Sequence, residues 1–388
     1  MEKSNEEQIL ERTVLAKSSV KPIVWAWLLL AIFFVEFIFI LNARIEVFGE
    51  ENISDALLAI DLPVIYKTQS VKLFLFGDMM LDRGVRYRMG EYGQEYPFAQ
   101  IKDLLSGHDI VVGNLEGSFT DFKSKTVGIK DAPLTFTFDP TVIPMLKNLG
   151  FTLFSLANNH TTNFGEEGLV QTRQYLSESG IGYFGDPFNT VELSKIVEVN
   201  GVKIGFVGFH EFIYQNLDLV LVEISKMKAE ADLVIVFPHW GSEYNKKANA
   251  NQKELARAFI DAGADVVVGA HPHVIEPIEI YKDKPIFYSL GNFVFDQDFS
   301  YDTTHGLTLE LTYTKKKSVY RLIPISIIKS EVKVASPANT TAILDSLADL
   351  SPVSEDVKSQ IRMGEVDFAK TVIYTRINQQ VNTPDISL

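Results

Sequence analysis

Five short apolar runs, each followed at once by polar residues, constrain the fold of this chain more than any other feature. The runs have the length and composition of buried parallel strands, which lie in a sheet covered on both faces. In open α/β sheets, ligands bind beyond the carboxyl ends of such strands, so the polar motifs should meet along one rim. The five segments read VKLFLFGD, DIVVGNLE, TLFSLANNH, DLVIVFPHWG and DVVVGAHPH.

The polar residues of these motifs are of the types that bind metal ions. Carboxylates, amide oxygens and imidazoles are the donors that hard and borderline divalent ions prefer. We therefore predict a metal site with two ions, built from residues that are far apart in the sequence. The candidates are Asp78, Asn114, Glu116, Asn159, His160, His239, His271 and His273.

The composition narrows the class of protein. The 388 residues carry a formal net charge of −14, whereas a nucleic-acid binder usually presents a basic surface, so we expect no nucleic-acid partner. The chain has no cysteine, which excludes disulfides, thiolate nucleophiles and cysteine-based metal sites. Any metal must therefore be held by oxygen and nitrogen donors.

Residues 23–41 form an almost uninterrupted apolar segment, IVWAWLLLAIFFVEFIFIL. As a helix it would span about 28 Å, close to the hydrocarbon thickness of a bilayer. Lysine and arginine are more frequent before it than after it, which places residues 1–22 in the cytoplasm. We expect an uncleaved signal anchor, with a removed signal peptide as the alternative. This predicts a single-pass protein of the cell membrane, with its main domain outside the cytoplasm.

A connector over residues 42–69 is expected to precede a main domain over residues 70–330. Strand-like runs first alternate with helix-like ones, which is the order of βαβ units. From Ile196 onward more antiparallel strands are expected, beginning with a hairpin at Asn200-Gly201. We predict an α/β fold in which a mixed sheet packs on a second sheet. Residues 331–388 are expected to form a helical or partly ordered tail.

The motifs together resemble the CapA/PgsA family of poly-γ-glutamate capsule synthesis proteins. The resemblance covers about residues 70–330 and rests on GDMMLDRG, NLEGSF, SLANNHTTNFGEEGL, PHWGSEY, AHPHV and PIFYSLGNFVFD. It implies a calcineurin-like metallophosphoesterase sandwich, with two mixed β-sheets flanked by helices. It also implies a membrane-anchored domain outside the cell, and an anionic polymer such as poly-γ-glutamate as a partner.

The resemblance assigns roles to several of the candidate residues. Glu116 would bridge two metal ions, and Asn159 would offer its amide oxygen to one of them. His160 would act as a general acid or stabilise the leaving group, work that suits a side chain titrating near neutral pH. The ions would be Mn, Zn or Fe.

The remaining metal ligands are predicted from the residues themselves. Asp78 follows the first strand and would bind one ion, and His239 ends another strand. The His-x-His spacing of His271 and His273 brings two imidazoles close together, with Pro272 stiffening the segment between them.

Four residues are expected on the substrate side of the site or behind the metal ligands: Asn114, named above, and Arg83, Glu243 and Asn292. Arg83 would clamp phosphate or carboxylate oxygens, or would lie on the surface of a helix. Glu243 would orient a ligand imidazole or face solvent. His210, in contrast, is expected to be an ordinary residue at a strand end.

Two positions depart from the family pattern, and they leave two functions open. Met80 stands where related metallophosphoesterases carry a histidine, and Asn163 where relatives often carry aspartate. The first hypothesis is a metal-dependent hydrolase or transferase. The alternative is a non-catalytic subunit of a capsule polymer synthase or exporter, which uses the same residues to hold metal or polymer.

Overall fold

The computed structural model describes residues 70–127, 129, 133–213 and 216–369. The predicted cytoplasmic segment 1–22, signal anchor 23–41 and connector 42–69 lie outside these residues. Within them, no helix is long and apolar enough to cross a membrane.

The described residues form strands β1 to β17 and helices α1 to α8. The strands are β1 Ser70–Met79, β2 Ile110–Leu115, β3 Ser118–Phe119, β4 Thr137–Phe138, β5 Leu153–Ser155, β6 Gly182–Phe184, β7 Ser194–Val199, β8 Val202–His210, β9 Leu233–His239, β10 Val266–Val268, β11 Ile278–Tyr281, β12 Lys284–Phe287, β13 Asn292–Val294, β14 His305–Thr314, β15 Lys317–Ile328, β16 Glu331–Val334 and β17 Glu365–Ala369. The helices are α1 Arg83–Tyr92, α2 Lys102–Leu105, α3 Ile143–Asn148, α4 Gly165–Ser179, α5 Leu217–Glu230, α6 Ala250–Ala262, α7 Pro337–Leu350 and α8 Glu355–Met363.

Two mixed sheets organise these strands. The first runs in the order β16-β15-β14-β1-β2-β5-β6, with β13 also pairing β1 and β17 also pairing β15. The second runs β11-β12-β10-β9-β8-β7, and β3 and β4 form a separate pair. Each large sheet has a parallel centre, β1-β2-β5 in the first and β8-β9-β10 in the second, with antiparallel strands beside it. The predicted α/β fold with mixed sheets is confirmed.

Side chains of β1 show why the two sheets pack face to face. Successive residues of a strand point to opposite faces. Leu73 and Leu75 enter a core shared with Ile204 and Ile235 of the second sheet, whereas Phe74 points to the outer core of the first sheet. Both faces of β1 are therefore buried, which explains its nearly continuous apolar sequence.

Helices cover the two outer faces. Val85 of α1 and Leu176 of α4 pack on the first sheet, and Phe259 of α6 packs on the second. Helix α6 begins with a capping box in which the Asn249 and Gln252 side chains each accept from the other residue's backbone N–H. The predicted two-sheet sandwich with flanking helices thus follows from where these apolar faces are buried.

The main domain continues beyond residue 330, where we expected it to end. Strands β16 and β17 both pair with β15 of the first sheet. Leu347 of α7 and Ile361 of α8 are buried in the core between the sheets. Because these apolar side chains complete that core, residues 331–369 belong to the domain and do not form a tail. Residues 370–388 lie outside the described part of the chain.

Candidate metal centre

The carboxyl ends of the central strands meet at one rim, as the sequence predicted. Asp78 pairs in register with Asn114 of the neighbouring strand β2. In the second sheet, His210 at the end of β8 pairs with His239 at the end of β9, which in turn bridges to Ala270 just before His271. The topology therefore delivers polar residues from both sheets to the same place.

Asp78 is the fully buried carboxylate at the centre of this rim. It accepts hydrogen bonds from Asn114 Nδ2 at 2.8 Å and from the backbone N–H of His271 at 3.1 Å, and its Oδ2 lies 3.3 Å from His273 Nδ1. Burial alone would raise the pKa of Asp78, but the contacts with His273, Asn114 and His271 together hold that pKa below its ordinary value. Asp78 is therefore an ionised group at neutral pH.

Close backbone approach makes this position of Asp78 possible. The Asp78 N–H donates to the Gly291 carbonyl at 3.0 Å. A Cβ on the preceding residue, Gly77, would lie 1.9 Å from the same carbonyl oxygen. Only glycine fits there, so the residue before Asp78 is fixed by the packing of β1 against the loop before β13.

Glu116 is the second buried carboxylate, and it follows β2 directly. Its Oε1 lies 3.6 Å from His273 Nε2 and 3.7 Å from His160 Nε2. Its Oε2 is buried and has no hydrogen-bond partner among the described residues. Burial raises the pKa of Glu116 well above its ordinary value, with the Asp78 charge adding to the rise and His273 opposing it. A buried carboxylate in this state is stabilised by a bound cation.

Asparagine side chains hold His239 in place. The Asn159 Oδ1 lies 2.8 Å from His239 Nε2, and the Asn114 Nδ2 lies 3.2 Å from His239 Nδ1. Asn158 donates to Asn114 Oδ1 at 3.0 Å and so fixes which way that amide points. Burial, together with the nearby His271, lowers the pKa of His239 well below its ordinary value, so its imidazole is neutral.

The His-Pro-His segment has an uncommon backbone. His271 has φ +97° and His273 has φ +58°, on either side of Pro272. Non-glycine residues with such positive φ values carry strain of about 1–3 kcal/mol each, and they concentrate at functional sites. The strained turn aims the His271 N–H at Asp78 and places His273 Nδ1 2.9 Å from Asn292 Oδ1.

The two histidines of this segment have opposite charge preferences. Burial lowers the pKa of His271 to about 3, and the neighbouring His273 contributes to that fall. Burial also opposes the charge on His273, but the carboxylates of Glu116 and Asp78 outweigh it and raise its pKa to about 9. Neutral His271 has a buried Nδ1 without a hydrogen-bond partner in the described chain, which leaves a donor atom for a metal ion.

The residues present fit divalent metal ions. Ligand atoms of Asp78, Glu116 and His239 lie within 4.8 Å of one another, and those of Glu243, His271 and His273 form a second such group. The first group is wholly buried, and Glu243 of the second is exposed. Two adjacent groups of oxygen and nitrogen donors, with partnerless buried atoms on Glu116 and His271, match the chemistry of such a site.

His160 stands beside this ligand cluster with a fixed ring. Its Nδ1 lies 2.9 Å from Asn163 Oδ1, which also accepts the backbone N–H of Phe136. Because Asn163 presents its oxygen, His160 must carry its proton on Nδ1, and Nε2 faces Glu116. The Phe136 ring stacks on the imidazole at 4.3 Å. Burial lowers the pKa of His160, and the Asn163 hydrogen bond only partly offsets this.

The two departures from the family pattern have different consequences. Met80 is fully buried, and its sulfur accepts the backbone N–H of Asp82, so this position offers no ligand to the centre. Asn163, in contrast, keeps an oxygen on His160 Nδ1 and preserves the orientation of the ring.

The sequence missed one residue of the rim, His210. Its ring lies 6.0 Å from that of His239, its Nδ1 lies 2.8 Å from the Pro187 carbonyl, and its buried Nε2 has no partner among the described residues. The available signal was its place at the end of the apolar run VKIGFVGF, the same position that His239 occupies on its own strand.

The fold and the site together define an α/β protein with a candidate metal centre at the carboxyl ends of its strands. Comparison with known proteins identifies the family. The model of the bacterial capsule synthesis protein PGA_cap matches residues 72–297, and the chain belongs to that family.

Curated relatives support this membership. The capsule biosynthesis protein CapA of Bacillus anthracis is 32% identical over 299 residues, which are 72% of this chain and 72% of that protein. The PGA biosynthesis protein CapA of Bacillus subtilis (strain 168) is 32% identical over 281 residues, 68% of this chain and 73% of that protein. A putative 5'-nucleotidase structure from Staphylococcus aureus is 12% identical, covers 69% of this chain and 53% of its own, and has a TM-score of 0.37, too low to support a function.

Proposed function

We propose that this protein is a membrane-anchored, extracytoplasmic component of poly-γ-glutamate capsule synthesis or export, with a metal-dependent hydrolase or transferase site on a metallophosphoesterase-like sandwich. One observation carries the proposal: two groups of ligand-type side chains converge at the strand ends, with buried atoms on Glu116 and His271 that lack partners. The choice of polymer rests on the relatives, which are named for capsule and PGA biosynthesis. The apolar segment 23–41 supplies the anchor.

Asp78, Glu116, Asn159, His239, His271 and His273 would hold two divalent ions, of Mn, Zn or Fe. Such ions polarise a substrate oxygen and lower the pKa of bound water. Glu243, whose carboxylate groups with His271 and His273, would contribute from the exposed side. Asn114 and Asn292 would orient Asp78, His239 and His273 through the hydrogen bonds described above.

His160 would transfer the proton in the reaction, as a general acid. Its Nδ1–H is committed to Asn163, so Nε2 is the nitrogen that exchanges protons with substrate. The Phe136 ring against one face of the imidazole keeps water from that side. A proton held at Nε2 can be delivered to a leaving group next to Glu116.

The second candidate is a scaffold that binds metal and polymer without turnover, as a partner of capsule synthase or export subunits. The buried Met80 favours it, because the histidine that related metallophosphoesterases carry at this position is missing. The deciding experiment incubates full-length protein, loaded with Mn²⁺, with defined-length poly-γ-glutamate and with a phosphoester. Cleavage or transfer that His160→Ala abolishes while bound metal is retained supports the enzyme. Bound metal without turnover on either substrate supports the scaffold.

A further inference from the structure

Beside the candidate metal centre lies a cavity of about 160 Å³. Glu116, His160, Glu243 and His273 form one part of its wall, and Phe136, Phe295, Phe299 and Leu134 are among the residues that form the rest. Among the described residues that line it, Arg83 is the only lysine or arginine. Any anionic substrate group in this cavity therefore has Arg83 as its one guanidinium or ammonium partner, beside the imidazole of His273.

Arg83 is held in place with a strained backbone conformation. Arg83 opens helix α1 with φ +53°, a value that non-glycine residues rarely adopt. Asp296 stabilises this conformation, because its Oδ2 accepts the N–H of Gly84 at 2.9 Å and contacts Arg83 Nε at 3.3 Å. A single partly buried carboxylate thus fixes both the turn and the guanidinium.

The contact with Asp296 leaves one edge of the guanidinium available. It uses Nε, and in the described part of the chain the two Nη groups have no hydrogen-bond partner. The Phe136 ring lies 5.8 Å from the Arg83 Cζ, and the same ring stacks on His160. The Phe136 ring therefore packs between the Arg83 guanidinium and His160, the residue that would transfer the proton.

We propose that Arg83, held by Asp296, is an oxyanion clamp that binds an α-carboxylate of a γ-linked glutamate chain beside the metal centre. This rests on the proposed function, because it names the substrate group at that site. A guanidinium edge matches the planar carboxylate with two parallel hydrogen bonds. In a γ-linked chain each α-carboxylate is attached to the carbon that carries the amide nitrogen, so the clamp would bring an amide bond to the centre.

The charges around the cavity favour a carboxylate over a phosphate monoester. Glu243 lines the cavity from the exposed side, and its negative charge repels a dianion more strongly than a singly charged group. The aromatic walls suit the methylene groups of a glutamate side chain. A free phosphate remains the competing source of the same oxyanion chemistry.

The test compares Arg83→Gln with Arg86→Gln. Arg86 lies on the same helix and its side chain is 27% exposed, against 29% for Arg83, but its guanidinium is bound to Thr137 and Asp139. Calorimetry with full-length protein and Mn²⁺ would measure three probes: a γ-linked glutamate pentamer, the same pentamer with α-carboxamides, and inorganic phosphate. If Arg83→Gln does not fold, Arg83→Lys replaces it in the test, because lysine keeps the charge but loses the paired N–H donors of the guanidinium.

We expect Arg83→Gln to weaken pentamer binding by about tenfold or more, the usual effect of losing a charge-assisted pair. The preference for the carboxylate pentamer over the carboxamide pentamer should disappear, and Arg86→Gln should behave as wild type. The clamp is overturned if wild-type protein binds both pentamers equally, if Arg83→Gln binds like wild type, or if no probe binds. Arg83-dependent binding of phosphate alone would keep the clamp but reject the polymer, and with it the proposed function.

Discussion

Replacing Glu116 by glutamine should stabilise the protein without metal and destroy its response to metal. The Glu116 side chain is 1% exposed, and its Oε2 lacks a hydrogen-bond partner among the described residues. Burial raises its pKa well above the ordinary value, so keeping the carboxylate ionised at pH 7.5 lowers the stability of the folded state. Glutamine has the same shape without the charge. We expect a gain of about 1–3 kcal/mol, because the amide avoids the extra desolvation cost that a buried carboxylate carries when it is ionised.

The assay is urea unfolding at pH 7.5, with EDTA and then with Mn²⁺. An ion that binds only the folded state at about a thousand times its Kd adds about 4 kcal/mol to the free energy of unfolding. Wild-type protein should gain such an increment and Glu116→Gln should gain little of it. The reasoning is refuted if Glu116→Gln is less stable than wild type in EDTA and is stabilised by Mn²⁺ as much as wild type.

Three further predictions test other parts of the structure. Burial raises the pKa of Glu276 to about 8. The free energy of unfolding of the wild type should therefore fall between about pH 4.5 and 8, because the unfolded chain loses a proton that the folded chain keeps. Urea unfolding at pH 5 and 8.5 should show that Glu276→Gln removes this pH dependence, which is worth up to about 5 kcal/mol. Gly77→Ala should lower stability by more than about 3 kcal/mol and disturb metal binding, because its Cβ would lie 1.9 Å from the Gly291 carbonyl oxygen; unchanged thermal unfolding would contradict the packing. His160→Ala should leave the metal content by elemental analysis unchanged while removing turnover, and loss of metal would instead make His160 a ligand.

Much of the fold could be predicted because its signal is local. The run around Ile235 is apolar at every position and the run around Leu73 is interrupted only by Lys72, and this is how strands covered on both faces appear in a sequence. The hairpin at Asn200-Gly201 was equally local and is confirmed by the pairing of β7 with β8.

The end of the domain could not be predicted in the same way. Strand β17 belongs to the sheet because it pairs with β15, and nothing in its own short sequence specifies that partner. The burial of Leu347 and Ile361 likewise depends on the gap between the two sheets, which exists only in the folded chain.

The candidate site also has residues that the local sequence predicts and contacts that only the folded chain reveals. Asp78, His239 and His271 could be selected because each directly follows an apolar run, and the structure brings them together. The hydrogen bonds that Asp296 makes to Gly84 and Asn158 makes to Asn114 could not be predicted, because they depend on three-dimensional placement. His210 shared the strand-end signal but lacked a family motif, and its position beside His239 emerges only from the register of β8 and β9.

The most direct test of a two-ion centre is anomalous scattering from crystals of the full-length protein soaked in Mn²⁺. Two peaks are expected, one within about 2–2.5 Å of ligand atoms from Asp78, Glu116 and His239, the other equally close to His271 and His273. A single peak in that cluster would correct the number of ions and keep the site. Crystals that bind Mn²⁺ only elsewhere, or not at all, would contradict the account, because these side chains would then converge without holding a cation.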